Sequence, residues 1–128
     1  MEKQKAMIII GAAGSGKSRR AQAEAEKRGG DYVVTSWDEL QGKFGLALLD
    51  SGPATVIVEG LPPAALKKAA TREYLKQLAS AHDLLIDVKY KNPRTVLAPM
   101  FIFTMQTPPK PDLSLVGGEC RRFEVVEV

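Results

Sequence analysis

The stretch Gly11-Ala12-Ala13-Gly14-Ser15-Gly16-Lys17-Ser18 sets glycines, a lysine and a hydroxyl at the spacing G-x-x-x-x-G-K-S, and those residue types in that order suit a phosphorylated ligand. A triphosphate crowds several negative charges into a small volume. Consecutive backbone N–H groups and a helix N-terminus solvate such charges with little rearrangement. The glycines let the backbone approach closely, Lys17 supplies a point charge for the β- and γ-phosphates, and the Ser18 hydroxyl is a ligand for Mg²⁺. Arg19, next in the chain, belongs to the same expected site. The ligand expected here is a nucleoside triphosphate, ATP with Mg²⁺.

A metal held in this way also calls for an acid from the end of a neighbouring strand. Glu59 follows the apolar run Val56-Ile57-Val58 and precedes Gly60, which places it at the carboxyl end of a buried strand, where open α/β sheets bind ligands. There it is expected to order the water shell of the metal or to polarise an attacking water. Asp38 and Glu39 fit better as residues that start a helix.

The elements that must position these groups alternate in an α/β manner. Met7 to Ile10 reads as a buried strand, and Lys17 to Arg28 as a helix closed by Gly29-Gly30. Tyr32 to Thr35 reads as a second strand. Ser36 with Glu39 is a capping-box signature for a helix reaching about Asp50, with Trp37, Leu40, Phe44 and Leu48 on its apolar face. Ser51-Gly52-Pro53 ends it before the strand Thr55 to Val58. Pro62-Pro63 then opens a longer helix on which Leu66, Ala70, Tyr74, Leu78 and Ala81 share one face. Ile86, Val88 and Tyr90 alternate with Asp87, Lys89 and Lys91, a period of two that predicts a half-exposed strand turned at Asn92-Pro93 toward Thr95 to Leu97. Met100 to Thr104 is a further buried strand, Gln106 to Leu113 a proline-rich loop, and Phe123 to Val128 a last strand after Arg121-Arg122.

The chain of 128 residues fits one domain spanning 1–128. Its longest apolar run near the N-terminus, Ala6 to Ile10, is too short for a membrane span or a signal-peptide core. A single cysteine, Cys120, agrees with a reducing compartment, so a cytoplasmic protein without a membrane partner is expected. The net charge of +3 is small, but two basic stretches, Met1 to Arg28 and Lys67 to Arg94, flank an acidic one. That permits a polyanionic partner without requiring one.

Beyond the phosphate loop, the order of pieces resembles the ATPase core of superfamily 3 viral and plasmid replication helicases, a branch of the AAA+ group. The resemblance runs over most of the chain. An acid-tipped strand, Thr55 to Glu59, is followed by the helix from Pro62 to Ala81 and a basic hairpin, Ile86 to Leu97, with Lys89, Lys91 and Arg94. Then come a strand ending in polar residues, Phe101 to Gln106, and the arginines Arg121-Arg122 before a last strand. The resemblance implies a three-layer P-loop NTPase fold with a mainly parallel five-stranded sheet in AAA+-like order, and Mg-dependent ATP hydrolysis. It implies that Thr104 or Gln106 holds the attacking water and that Arg121 or Arg122 acts as a finger on a neighbouring copy's nucleotide. It also implies that Lys89, Lys91 and Arg94 touch single-stranded DNA, with Tyr90 available for stacking. The partners implied are further copies of the chain or a separate replication protein. Here Glu59 is a single acid where the family has an adjacent pair, and Gln106 stands where the family has Asn.

Two other readings remain open. Small nucleotide or nucleoside kinases also begin with strand, phosphate loop and helix, although the stretch Lys89 to Arg94 would have to serve as their lid. A nucleotide-dependent interaction module without catalysis is the other.

Overall fold

In each central strand the residues of both parities are apolar, the pattern of a sheet covered on its two faces. The computed structural model describes residues 6–42, 44–106 and 123–128. In chain order its strands are β1 Ala6–Gly11, β2 Tyr32–Ser36, β3 Thr55–Glu59, β4 Asp83–Ile86, β5 Arg94–Leu97, β6 Met100–Gln106 and β7 Phe123–Glu127. The α-helices are α1 Lys17–Arg28, α2 Trp37–Leu40 and α3 Ala69–Ser80. Five strands form one sheet in the order β2-β3-β6-β1-β7, with every neighbouring pair parallel. β4 and β5 form a separate antiparallel hairpin.

The strand order creates the site. The chain leaves β1, crosses through α1 and returns at the far edge as β2, so that β3 and β6 later fill the gap, while β7 docks on the other side of β1. Progression through the sheet thus reverses beside β1. The crevice outside the carboxyl end of such a strand is where doubly wound sheets take ligands.

Packing gives three layers. Ile8, Ile10, Val56, Val58, Phe101 and Phe103 face a core that includes Trp37 and Leu40 of α2, Leu75 and Leu78 of α3, and Leu84 and Ile86 of the hairpin. The opposite parity, Met7, Ile9, Ile57, Met100 and Ile102, packs on Ala21 and Ala25 of α1. Small residues on α1 bring the helix close to the sheet. Trp37 ties the first face together, its ring centroid 6.4 Å from those of both Tyr74 and Phe103. Among the described residues no helix is long and apolar enough to cross a membrane.

Three elements depart from the sequence expectation. The helix opened by Ser36 ends at Leu40 instead of continuing to Asp50 and is followed by a 3₁₀ helix, Gly45–Ser51. Two glycines explain the break: each costs a helix interior about 1 kcal/mol, and a Cβ at Gly45 would sit 2.1 Å from the Leu40 carbonyl oxygen, so the chain turns back onto α2 there. Trp37 and Leu40 are buried as expected, whereas Phe44 is 38% exposed.

The helix opened by Pro62-Pro63 is likewise split. A 3₁₀ helix, Pro63–Lys67, stops at Lys68 in an extended conformation before α3 begins. Arg72 Nη1 donates to the Leu66 carbonyl across the break at 2.7 Å. The extended residue resets the helical phase, so Ala70 is exposed and Leu75, Leu78 and Ala79 carry the buried face.

The hairpin is present, but its first strand is Asp83–Ile86, earlier than the alternation from Ile86 to Tyr90 predicts. Residues 87–93 form the connection, in which Tyr90 adopts φ 67°.

Candidate functional site

β1 is buried along its whole length and ends at Gly11 on the crevice side of the sheet. Glycine suits that point because a Cβ would lie 2.9 Å from the Val128 carbonyl oxygen, a backbone atom, as well as 2.3 Å from Ser15 Oγ. The loop then uses Gly14 at φ 76° and Gly16 at φ 94°, a region that side chains rarely enter. Gly16 is also the N-cap of α1 and, as a glycine, gives the first N–H groups of the helix no side-chain cap. Lys17 Nζ donates to the carbonyls of Gly11 at 3.0 Å and Ala12 at 2.9 Å, drawing the ammonium over the loop. Gly14 to Arg19 line an open cleft of about 470 Å³, within the range that holds small-molecule ligands.

The acid expected from a neighbouring strand is in place. Ser18 Oγ donates to Glu59 Oε1 at 2.7 Å across a sequence separation of 41 residues. Strand parity accounts for the meeting. Glu59 shares the parity of Ile57, Gln106 that of Ile102, and Gly11 that of Ile9, and all three parities belong to the α1 face. Gly11 and Gln106 are register partners at the ends of β1 and β6, and Gln106 is exposed there. The adjacent strands β3, β6 and β1 therefore end in Glu59, Gln106 and Gly11, with Lys17 and Ser18 at the start of α1 beside them.

Both Ser18 and Glu59 offer hard oxygen donors, as Mg²⁺ prefers. Among the described residues no group of three or more His, Cys, Asp or Glu side chains gathers to hold a metal. A pair of protein ligands fits a cation that is completed by phosphate oxygens and water.

Two polar residues near this edge are engaged otherwise. Thr104 is buried, and its hydroxyl and carbonyl oxygens accept from the N–H groups of Gly60 at 3.3 Å and Leu61 at 3.0 Å. A lone hydroxyl in an apolar strand is the sequence signal for such a role, since a buried polar group needs a partner. Glu39 starts α2 as expected, its N–H donating to Ser36 Oγ at 3.2 Å and its carboxylate accepting from Thr35 Oγ1 at 3.1 Å.

The hairpin lies elsewhere. Its Leu84 and Ile86 join the core on the face opposite α1, and it is rooted at the amino edge of the sheet, where Ala98 N–H meets the His82 carbonyl and Met100 N–H the Ala54 carbonyl. Its three candidate cations differ. Arg94 is bonded to Asp50, its Nε at 3.0 Å from Oδ1 and its Nη2 also paired with that oxygen, and Lys91 Nζ is 3.5 Å from Oδ2. The bonded Arg94 guanidinium holds the Asp50 carboxyl below its usual range, and Lys91 adds to the effect. Lys89 instead stands 5.1 Å from the centroid of Tyr90, which is 94% exposed. Sequence reasoning missed Asp50, whose contact is made across the fold. Arg121 and Arg122, and residues 107–113 of the expected proline-rich loop, lie outside the described residues.

No protein-family model and no curated protein matches this sequence. Solved structures do. Two apo structures of the NrS-1 C-terminal region are similar to it, one at TM-score 0.65 and 18% identity over 96% of this chain and 28% of that one, the other at 0.69 and 16% over 96% and 29%. A JCV helicase solved with a thiazolopyridine compound is similar at TM-score 0.62 and 20% identity, over 100% of this chain and 36% of the helicase chain. The chain thus spans about a third of the length of these neighbours. It shares their fold, and the mainly parallel α/β sheet expected from the sequence is the one they carry.

Proposed function

We propose that the chain is the nucleotide-binding core of a helicase-type ATPase, taking ATP with Mg²⁺ at the crevice beside β1. The hydrogen bond between Ser18 and Glu59 carries the reading, because it joins the phosphate loop to a strand-end acid from a distant part of the sequence.

In this reading the N–H groups of the loop and of the first turn of α1 hold the phosphates. Lys17 exchanges its two carbonyl acceptors for β- and γ-phosphate oxygens, a stronger charge-assisted pairing. Bound Mg²⁺ supplies neutralisation of the charge that develops on the phosphates. The Ser18 oxygen would bind the cation through a lone pair while its hydroxyl keeps its proton, donated as a hydrogen bond to Glu59 Oε1. The Glu59 carboxylate would hold water of the metal's shell, and Gln106, the register partner of Gly11, would offer its amide to the attacking water. Arg121 or Arg122 would complete the charge stabilisation from a neighbouring copy. Lys89 and Tyr90 offer a cation and an open ring face to a single strand, while Lys91 and Arg94 reach it only by leaving Asp50.

The kinase reading needs the stretch Lys89 to Arg94 as a lid over the phosphates. That stretch belongs to a hairpin rooted at the other edge of the sheet and packed on the other face, which favours the ATPase reading over it.

Phosphate release from Mg·ATP, measured with and without single-stranded DNA over a range of protein concentrations, tests the proposal. The expected result is DNA-stimulated turnover that rises more than linearly with protein and vanishes in Lys17→Ala. No turnover under any condition, with ATP still bound, would move the reading to a binding-only module.

A further inference from the structure

On its β6 side β3 leaves the ladder just before its acid, whereas on its β2 side Glu59 is still paired with Ser36. Its register with β6 runs from Thr55 opposite Met100 to Val58 opposite Phe103, and beyond Glu59 the chain turns through Gly60 at φ 79°. The N–H groups that follow the acid need new acceptors. Both find them on one residue: Gly60 N–H donates to the side chain of Thr104 and Leu61 N–H to its carbonyl. Thr104 is 4% exposed and stands opposite Ile9 in the middle of β1. It therefore ties the turn that carries Glu59 to the strand next to the phosphate loop. The contact at stake is short, 2.7 Å between Ser18 Oγ and Glu59 Oε1, so a small displacement of the turn would part the two.

We infer that Thr104 is a positioning residue whose hydroxyl, through Gly60, holds the Glu59 carboxylate where Ser18 and Mg²⁺ meet it. The inference rests on the nucleotide-and-magnesium reading above and deepens it. A valine at this position keeps the branched shape that a buried strand favours and removes the acceptor of Gly60 N–H. The backbone acceptor of Leu61 N–H stays. The turn then keeps one of its two bonds to β6, and Glu59, paired on its other side with Ser36 of β2, is held less tightly against Ser18.

The test is a Mg²⁺ titration of the binding of a fluorescent ATP analogue to the purified chain, with a parallel measurement in EDTA. Thr104→Val should raise the Mg²⁺ midpoint about tenfold, the lower end of what losing an outer-shell partner costs a metal site. Affinity in EDTA should stay at the wild-type value, and Thr104→Ser should restore the midpoint. In the Glu59→Gln background Thr104→Val should add nothing, because the carboxylate it positions is gone. Thr104→Ala removes the same acceptor should the valine variant not fold, and faster exchange of the Gly60 amide reports the lost anchor directly. An unchanged midpoint, an equal loss with and without metal, no rescue by serine, or a further tenfold shift in the Glu59→Gln background would each overturn the inference. Glu59→Gln alone separates the two levels. If it leaves the midpoint unchanged, the metal-site reading itself is wrong, and if it moves the midpoint while Thr104→Val does not, only the positioning role is.

Discussion

The phosphate loop and the β4–β5 hairpin are both basic turns, yet the fold disposes of their cations in opposite ways. Lys17 rests on two backbone carbonyls, neutral acceptors that an incoming phosphate displaces readily. Lys91 and Arg94 rest on a carboxylate, which competes with any polyanion for the same charge. A count of lysines and arginines treats these sites alike. What separates them is the acceptor already present, and for the hairpin that acceptor comes from a part of the chain 44 residues away.

The largest effect that would sharpen the contrast is at the loop. Lys17→Ala should weaken Mg·ATP binding about 100-fold, following from roughly 3 kcal/mol for a hydrogen bond to a charged group. Its thermal unfolding should stay at the wild-type temperature, since the ammonium contributes charge and no core packing. Calorimetric affinity equal to wild type would remove the site assignment and with it one side of the comparison.

On the hairpin side the expected change is smaller and of opposite sign. Asp50→Ala frees two cations and should tighten single-stranded DNA binding. Each cation adds about 0.7 to the slope of log affinity against log salt, so the slope should steepen by about 1.4. Lys89→Glu, which alters a cation that Asp50 does not hold, should weaken binding in the same assay. An unchanged slope in Asp50→Ala would mean that Lys91 and Arg94 do not meet the strand, leaving the hairpin a sheet edge guarded by lysines.

The same division between local and distant determinants governs what was legible from residues alone. β1, the glycine loop and α1 were readable nearly to the residue, because a buried strand, positive-φ glycines and a helix start are each set by their own few residues. Glu59 was readable too, since an apolar run ending in an acid is one local pattern and parallel strands bring their carboxyl ends together. The end of the helix after Ser36 is masked because apolar spacing continues through Gly42 and Gly45, where the backbone of α2 itself blocks the path. The start of the hairpin strand is hidden in the sequence because Leu84 and Leu85 adjoin but lie on opposite faces, one in the core and the other 66% exposed. Asp50 was not legible at all. Its role depends on the 3₁₀ helix delivering it to the hairpin, and no spacing rule connects the two.

The smallest effect tests whether that delivery holds in solution. Bonding to Arg94 lowers the folded-state pKa of Asp50 below the usual value of about 3.9, so folding favours the ionised form. The stability contributed by the pair is fully present at neutral pH and down to about pH 4. It declines as the pH falls below that unfolded-state value and is gone once the lower folded-state value is passed. The difference in melting temperature between wild type and Asp50→Asn should therefore be constant from about pH 7 to about pH 5 and shrink below about pH 4. Because the pair is exposed, the difference should be small throughout and should fall further in high salt. A difference that stays flat through the whole acid range would show that Asp50 does not hold Arg94. The hairpin's cations would then be as available to a polyanion as Lys17 is to phosphate, and the contrast between the two turns would rest on their geometry alone.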